Sequence, residues 1–331
     1  MATTLIDLYD TLLLDLDGVV YLGRQPVKGA PEALTRAGDT GVRLAYVTNN
    51  ASRTPAAIAE HLVSIGVPAT PDDVVTSAQA AARMIAERVP KGSAVLVVGG
   101  MGLRSAVRGQ GLRPVTTAAD APVAVVQGIS PDLSYALLSE GALAVRQGAW
   151  FVAANGDTTM PTNRGVLPGN GAMTRVIATA TGVEPVSAGK PEPPLHRESM
   201  LRTGAEKPLI VGDRLDTDIE AATRAGVDSL LVLSGVTGPL DLLVAPPEHR
   251  PTHIGTDVSA VHLPPAPVTG EGDEWVREGW VARWESGELR LKGEGDPLDG
   301  LRAACAASWA HAGDGRADKA ALTHVMAALS P

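Results

Sequence analysis

Residues 12–23 read LLLDLDGVVYLG, a run of three leucines that leads directly into an acidic pair. This pattern predicts a buried strand that ends in two carboxylates, those of Asp15 and Asp17. Two like charges at the end of an apolar strand are costly to desolvate unless a cation neutralises them or one carboxyl holds a proton for transfer. Gly18 follows the pair and lets backbone N–H groups come close to a bound anion. An acidic turn without function is the alternative unless partners occur downstream.

The composition is that of an ordinary acidic globular protein. Its 331 residues, 44% of them hydrophobic, suffice for two or three domains with buried cores. The net charge of −9 argues against nucleic acid as the main partner, because phosphate binding needs a basic surface. Cys305 is the only cysteine, which excludes an internal disulfide and a thiolate zinc cluster. The single cysteine, the lack of a signal peptide and the lack of a long apolar run predict a cytoplasmic protein with no membrane partner.

Strand-like and helix-like segments alternate along the first part of the chain. VRLAYVT reads as a buried strand that ends at Thr48, and residues 54–65 read as a helix with Thr54 as its N-cap. Ser77 is the predicted cap of the next helix. Such alternation predicts an α/β fold with a Rossmann-like parallel-sheet core, in which ligands bind beyond the carboxyl ends of the strands. Asp15 and Thr48 both fall at such ends.

A second strand–helix series interrupts the first. We predict a core domain formed by residues 1–88 and 185–262, with an α/β domain inserted at 89–184. Clustered prolines then mark a linker to a small α+β C-terminal appendage at 268–331, where a hairpin turning near Ser286 and Gly287 precedes two helices. Four of the five tryptophans lie in this appendage, and we expect them to form a small core of its own rather than a binding surface.

Four short motifs stand at or just after the ends of predicted strands: DLDG at 15–18, TNN at 48–50, GKP at 189–191 and GDRLDTD at 212–218. Mg²⁺ prefers oxygen ligands, so Asp15, Asp213 and a backbone carbonyl near Asp17 are enough protein ligands to hold it. The Thr48 hydroxyl and neighbouring backbone amides can bind phosphate oxygens, while Lys190 supplies a positive charge. The motifs together predict a magnesium-dependent phosphoryl-transfer site.

The four motifs, in this order, resemble the haloacid dehalogenase-like superfamily of phosphohydrolases. DLDGVVY, TNN and GDRLDTD are similar to the branch with a large α/β cap inserted between the second and third motifs. That branch includes 4-nitrophenylphosphatases and phosphatases of phosphoglycolate, glycerol 3-phosphate and pyridoxal phosphate. The resemblance covers about residues 12–258 and leaves out the C-terminal appendage. It implies that residues 89–184 are the cap of a Mg²⁺-dependent phosphatase, and it leaves a homodimer open, since caps mediate dimers among similar proteins.

The resemblance implies a role for each matching residue. Asp15 would attack phosphorus and form an aspartyl phosphate, and Asp17 would act first as a general acid and then as a general base. Asp15, Asp17 and Asp213 would hold Mg²⁺, while Asp218 would orient metal-bound water or Lys190 rather than bind the metal itself. The phosphate-binding residues implied by the motifs are Gly18, Thr48, Asn49, Asn50 and Lys190.

Other classes of function fit the sequence less well. The glycines at 99–102 follow a strand-like run as in an NAD-binding oxidoreductase, but Ser105 stands where the last glycine of that pattern belongs. No G-x-S-x-G is present for a serine hydrolase. A carbon–halogen hydrolase would need no general acid at Asp17, and a non-catalytic binding protein would need no such set of carboxylates with a lysine and a threonine.

Substrate choice is expected to depend on residues 155–171, NGDTTMPTNRGVLPGNG, a long connection within the inserted domain. Asp157, Met160 and Arg164 are its candidate recognition residues. The segment contains no aromatic ring that could stack on pyridoxal phosphate. We therefore expect the partner to be a small phosphorylated metabolite, with glycerol 3-phosphate ahead of 2-phosphoglycolate and of pyridoxal phosphate.

Overall fold

The computed structural model of the chain describes residues 3–162 and 164–329, so Asn163 of the expected recognition segment lies outside the described residues. The strands are β1 Thr11–Leu14, β2 Tyr21–Leu22, β3 Gln25–Pro26, β4 Arg43–Thr48, β5 Val74–Thr76, β6 Ala94–Val98, β7 Arg113–Val115, β8 Ala124–Gln127, β9 Trp150–Ala153, β10 Thr159–Thr162, β11 Gly165–Pro168, β12 Val186–Ser187, β13 Pro208–Gly212, β14 Asp228–Val232, β15 His253–Gly255, β16 Thr269–Glu271, β17 Glu274–Arg277, β18 Trp280–Glu285 and β19 Glu288–Gly293. The helices are α1 Ala30–Asp39, α2 Pro55–Ser64, α3 Ser77–Ala86, α4 Met101–Gly109, α5 Tyr135–Arg146, α6 Asn170–Thr181, α7 Pro193–Thr203, α8 Glu220–Ala225, α9 Pro239–Leu243, α10 Pro297–Ala312 and α11 Thr323–Leu329.

The described residues divide into two compact units. The first unit combines the residues up to Arg43 with those from Lys207 onward, and the second runs from Leu44 to Glu206. The first residue of β4, Arg43, belongs to the first unit, and the rest of this strand belongs to the second. The domain bounds that the sequence suggests, at residues 88 and 185, stay a prediction. Among the described helices, none is both long and apolar enough to cross a membrane.

The first unit contains a parallel sheet in the order β15-β14-β13-β1. Every residue of β1 and of β13 is buried, which explains why the two strands read as continuous apolar runs rather than as alternating patterns. The two strands are hydrogen-bonded neighbours, with Leu14 opposite Val211. The segments that follow β1 and β13 therefore emerge side by side at the same edge of the sheet.

The second unit contains the parallel pair β4-β5 and a five-stranded parallel sheet in the order β12-β9-β8-β6-β7. α5 and α6 pack against each other and contribute to a core that includes Val125, Phe151 and Ile177. The predicted α/β fold with parallel sheets is confirmed. Most of the five-stranded sheet, from β6 to β9, is formed by residues predicted to lie in the inserted domain.

Helix starts follow the expected capping chemistry, with one correction. The Thr54 hydroxyl accepts a hydrogen bond from the Ala57 N–H at 3.3 Å, which confirms Thr54 as the N-cap of α2. The predicted cap of α3, Ser77, is wrong by one residue. Thr76 is the N-cap and accepts from the Gln79 N–H at 3.3 Å, because its extended backbone turns the side chain towards the first helical turn. Ser77 is the first residue of α3 and uses its hydroxyl elsewhere.

The C-terminal segment forms an antiparallel sheet followed by two helices. The predicted hairpin is confirmed, since Ser286 and Gly287, at φ values of 53° and 81°, join β18 to β19. Two positive φ angles in a two-residue connection suit the twist of the flanking strands. β16 and β17 extend the hairpin to a four-stranded sheet in the order β16-β17-β18-β19.

The tryptophans of the C-terminal segment point inward as expected, but the core that they join is not a separate one. Trp280, Leu301 and Cys305 belong to a buried cluster that also contains Leu231 of β14 and Leu242 of α9. Hydrogen bonds add to this packing: the Trp309 indole N–H donates to Leu242 O at 2.8 Å. The C-terminal segment therefore covers an apolar face of the first unit, which composition alone does not indicate.

Replacement of Leu301 by alanine tests whether the C-terminal segment and the parallel sheet of the first unit unfold together. Leu301 is 3% exposed, so we expect the free energy of unfolding to fall by roughly 2–5 kcal/mol. Leu201→Ala, at a position 57% exposed on α7, should change it by less than about 0.5 kcal/mol.

Urea unfolding of these variants is followed by two signals. Tryptophan fluorescence reports mainly on the C-terminal segment, and far-UV circular dichroism reports on the whole chain. The shared core predicts that the fluorescence change coincides with a transition in circular dichroism, and that Leu301→Ala shifts both to lower urea. A fluorescence transition that moves alone would contradict it.

Candidate active site

Two of the predicted site residues follow adjacent strands of the first unit. Asp15 comes directly after β1, and its N–H donates to Val211 O at 2.8 Å. Asp213 comes directly after β13 and is 1% exposed. The β ladder thus continues to the carboxylates themselves, so rigid backbone holds both side chains at the carboxyl edge of the sheet.

Asp218 joins these two carboxylates. It lies in a single π-helical turn, Leu215–Ile219, that precedes α8, and it is 1% exposed. One carboxylate oxygen from each of Asp15, Asp213 and Asp218 lies within 4.8 Å of the other two. Three carboxylates at this distance repel one another, and a hard divalent cation with oxygen ligands offsets that repulsion. The donor set therefore fits Mg²⁺.

Asp17 stands apart from this cluster. Asp17 is exposed, and its carboxylate does not belong to the cluster of three carboxylates that the described residues form. The turn around it is well defined, since the Gly18 N–H donates to Tyr21 O at 2.8 Å. Metal contact at Asp17 is expected through its main-chain carbonyl, and that contact stays a prediction.

Glycines enclose the Asp213 carboxylate. A Cβ added to Gly18, which has a φ of +85°, or to Gly235 would overlap the Asp213 side chain, so both positions require glycine for a steric reason. The Val236 N–H donates to Asp213 Oδ2 at 2.7 Å, and the Ser234 hydroxyl donates to Gly18 O at 2.6 Å. Reasoning from the sequence missed the segment 234–236, although the small residues Ser234 and Gly235, just past the end of β14, are a usable signal.

The second unit places Thr48 and Asn50 at the end of β4. Thr48 is 4% exposed, and its hydroxyl accepts from the Asn50 N–H at 3.1 Å. The side-chain oxygen of Asn50 accepts from the Ser52 N–H at 2.9 Å, which closes a tight local turn. Burial raises the pKa of Tyr46 in the same strand, so its hydroxyl stays neutral and donates to Pro68 O at 2.7 Å. Tyr46 is therefore an anchor for β4 rather than a proton donor for chemistry.

Lys190 is buried beside the same strand. Its side chain is largely removed from solvent, with 4% of the residue exposed, and Nζ donates to Val47 O at 3.2 Å. Asn49 binds the main chain of Lys190, and it also binds the carboxylate of Asp157. The structure thus brings together Asn49, Lys190 and Asp157, which were predicted from three separate parts of the sequence.

The expected recognition segment contains a hairpin that the sequence did not reveal. β10 and β11 pair with Met160 opposite Leu167, and Arg164 lies exposed at the connection between them. The signal is weak, because each strand has only four residues and neither alternates apolar with polar side chains. Met160 is 37% exposed, whereas Asp157 precedes the hairpin and is half-buried. The recognition role of the three residues stays a prediction.

Comparison with known protein families gives three matches along the chain. A model described as haloacid dehalogenase-like hydrolase matches residues 12–113, and a model described as HAD-hydrolase-like matches residues 187–261. A third, described as a GCN5-related N-acetyltransferase like domain, matches residues 277–330. The first two confirm the resemblance that the four motifs carry.

Individual relatives agree with this assignment. The chain is 50% identical over 254 residues to a D-glycerol 3-phosphate phosphatase of Mycobacterium tuberculosis, which covers 77% of this chain and 71% of that protein. It is 43% identical over 231 residues to the 5'-nucleotidase YutF of Bacillus subtilis, which covers 69% and 89%. The crystal structure of a glycerol phosphate phosphatase from M. tuberculosis in complex with magnesium superposes with a TM-score of 0.86 at 43% identity, over 94% of this chain and 93% of that one.

The carboxylate cluster predicts a Mg²⁺-dependent gain in thermal stability. A cation that binds the folded chain should raise the midpoint of thermal unfolding, and EDTA should reverse the gain. Asp213→Asn should abolish most of this shift, because it removes one of the carboxylate ligands of the cluster.

Asp216→Asn is the matched control for this measurement. Asp216 belongs to the same motif, but its side chain is 58% exposed and pairs with Arg214 at 2.8 Å. This variant should keep the wild-type shift. Equal shifts in the two variants would show that Asp213 does not hold the metal.

Proposed function

Because the chain belongs to the haloacid dehalogenase-like hydrolases, we propose that it is a Mg²⁺-dependent phosphatase that hydrolyses a small phosphomonoester through an aspartyl phosphate. The observation that carries the proposal is the cluster of Asp15, Asp213 and Asp218 at the carboxyl ends of buried parallel strands. This cluster supplies a fixed nucleophile together with oxygen ligands for a cation.

The two chemical steps are assigned to Asp15 and Asp17. In the first step an oxygen of Asp15 attacks phosphorus, the ester P–O bond breaks, and Asp17 gives its proton to the leaving alkoxide. In the second step Asp17 takes a proton from water, the water oxygen attacks phosphorus, and Asp15 is released with inorganic phosphate. The exposure of Asp17 suits this double role, since a group that gains and loses a proton in each cycle benefits from contact with solvent.

The remaining residues bind charge. Asp15, Asp213 and the main-chain carbonyl of Asp17 would hold Mg²⁺, and the Asp218 carboxylate beside them would orient metal-bound water rather than bind the metal itself. Bound Mg²⁺ reduces the repulsion between the attacking carboxylate and the phosphoryl oxygens. The phosphoryl oxygens themselves are assigned to the hydroxyl of Thr48, to backbone N–H groups from Gly18 and the Thr48–Asn50 turn, and to the ammonium of Lys190.

The proposed substrate is glycerol 3-phosphate. The relative that is 50% identical carries the name D-glycerol 3-phosphate phosphatase, and this supports the same substrate here. The candidate recognition residues Asp157, Met160 and Arg164 offer polar and flexible groups rather than a flat ring, which suits a small aliphatic leaving group better than pyridoxal phosphate. 2-Phosphoglycolate is the second candidate on the same grounds.

Asp15→Asn is expected to abolish Mg²⁺-dependent phosphate release, by about 10⁴-fold or more, because an amide oxygen is a poor nucleophile. Phosphate release is measured at saturating Mg²⁺, and the thermal midpoint shows whether the variant is folded. Asp39→Asn, at an exposed position near the end of α1, should retain wild-type turnover. Substantial activity in Asp15→Asn would refute the assignment of the nucleophile.

A panel of phosphate esters, assayed with and without EDTA, tests the substrate. We expect the highest kcat/KM for glycerol 3-phosphate, measurable turnover of 2-phosphoglycolate and 4-nitrophenyl phosphate, and no turnover when EDTA removes the metal. A clear preference for pyridoxal phosphate or for nucleotides would refute the proposed substrate but not the proposed chemistry. Turnover that survives EDTA would refute the chemistry.

A further inference from the structure

Both polar atoms of the Asn49 side chain, Oδ1 and Nδ2, form hydrogen bonds with protein groups. Its Oδ1 accepts from the Lys190 N–H at 2.8 Å, and its Nδ2 donates to Lys190 O at 3.2 Å. The same Nδ2 donates to the Asp157 carboxylate, with both oxygens at 3.2 Å. An asparagine amide has two N–H donors, so these two partners use both of them. Asn49 therefore has no further side-chain donor for a phosphate, contrary to a direct phosphate-binding role of that group.

We propose that Asn49 is a positioning residue that links the phosphate-binding lysine, Lys190, to the substrate-recognition segment through Asp157. The inference rests on the proposed function, because it concerns the site of the same reaction. It assigns to one side chain the task of keeping Lys190 and the start of the recognition segment in one arrangement.

The main chain of Asn49 is fixed independently of its side chain. The carbonyl oxygen of Asn49 accepts from the Ser77 hydroxyl at 2.7 Å and from Asn155 Nδ2 at 2.6 Å. Asn155 Oδ1 in turn accepts from the Asp157 N–H at 3.2 Å. The backbone of Asn49 is thus hydrogen-bonded to the start of α3 and to the segment after β9. These bonds restrict the position from which its side-chain amide binds Lys190 and Asp157.

Lys190 is held at both ends. Asn49 binds its N–H and its carbonyl, and Val47 O accepts from Nζ at 3.2 Å. The preceding Gly189 makes this approach sterically feasible, since an added Cβ would lie 2.5 Å from Asn49 Oδ1 and 2.8 Å from Ala154 O. Two fixed ends leave the ammonium group little freedom of direction, which is what a charge aimed at phosphoryl oxygens needs.

Asp157 carries the link into the recognition segment. One residue, Thr158, separates it from β10, and β10 carries Met160. A change at Asn49 should therefore act on two quantities: the rate, through the direction of Lys190, and the discrimination between leaving groups, through the hairpin. A purely structural residue would change stability without changing that discrimination.

The test exchanges the amide and the carboxylate between positions 49 and 157. Asn49→Asp keeps the size and the acceptor for the Lys190 N–H, but it places an oxygen against the Asp157 carboxylate and against Lys190 O. We expect kcat/KM to fall roughly 10–100-fold, as is typical when a supporting hydrogen bond in a catalytic site is lost, and the ratio of glycerol 3-phosphate to 4-nitrophenyl phosphate turnover to change. Adding Asp157→Asn restores a donor–acceptor pair between positions 49 and 157 but not the hydrogen bond to Lys190 O, so the double variant should regain part of this loss.

Hydrogen–deuterium exchange on the same proteins gives a readout that needs no turnover. In Asn49→Asp the amides of residues 187–193 and 155–171 should both exchange faster, and in the double variant both should return towards wild type. Gln147→Glu, an amide-to-acid exchange at an exposed position that follows α5, is the control and should change neither segment.

Exchange and turnover separate this inference from the proposed function. Faster exchange in both segments, reversed in the double variant, supports the link even if none of the tested esters is a substrate. Unchanged exchange in either segment of Asn49→Asp overturns it, whatever the turnover. Where the wild type is active, a double variant no better than Asn49→Asp also overturns it. If the double variant regains the thermal midpoint, but Asn49→Asp leaves the discrimination between esters unchanged, Asn49 has a structural role instead.

Discussion

Repulsion among carboxylates is the constraint on which the first unit depends. Asp15 and Asp213 are brought together because β1 and β13 are buried neighbours, and Asp218 joins them through the turn that follows β13. Like charges this close stay together when a rigid frame holds them and a positive charge offsets their repulsion. The overlap that a Cβ at Gly18 or Gly235 would make with Asp213 shows that backbone closes around this carboxylate. The apolar strands thus hold the carboxylates in place, and the glycines leave the space that the Asp213 side chain needs.

Much of the candidate site could be predicted because it depends on local sequence patterns. Asp15, Thr48 and Asp213 each end an apolar run, and the adjacent parallel strands β1 and β13 bring the ends that carry Asp15 and Asp213 to one edge. The place of Asp218 could not be read in the same way, because an ordinary α-helical spacing does not describe the π-helical turn that carries it. The hydrogen-bond partners of Asn49 could not be predicted either, since bonds to residues more than a hundred positions away follow from tertiary structure alone.

The fold shows the same division between local and distant information. The α/β class, the cap of α2 at Thr54 and the turn at Ser286 follow from patterns within a few residues. The hairpin β10–β11 does not, because strands of four residues without alternation resemble an irregular loop. The tryptophans of the C-terminal segment were expected to be buried, but composition does not say which apolar face covers them, and the partners are on β14 and α9.

The division of the chain has a consequence for its biosynthesis. β1 precedes the second unit in the chain, and its partner β13 is formed only after the whole of the second unit has been translated. At about 5–20 residues per second, the pairing of β1 with β13 is delayed by on the order of ten seconds or more. The second unit, which comes from one uninterrupted stretch, can fold in that interval. The acidic pair that directly follows β1 provides charge of the kind that opposes association between strands of different chains during this interval.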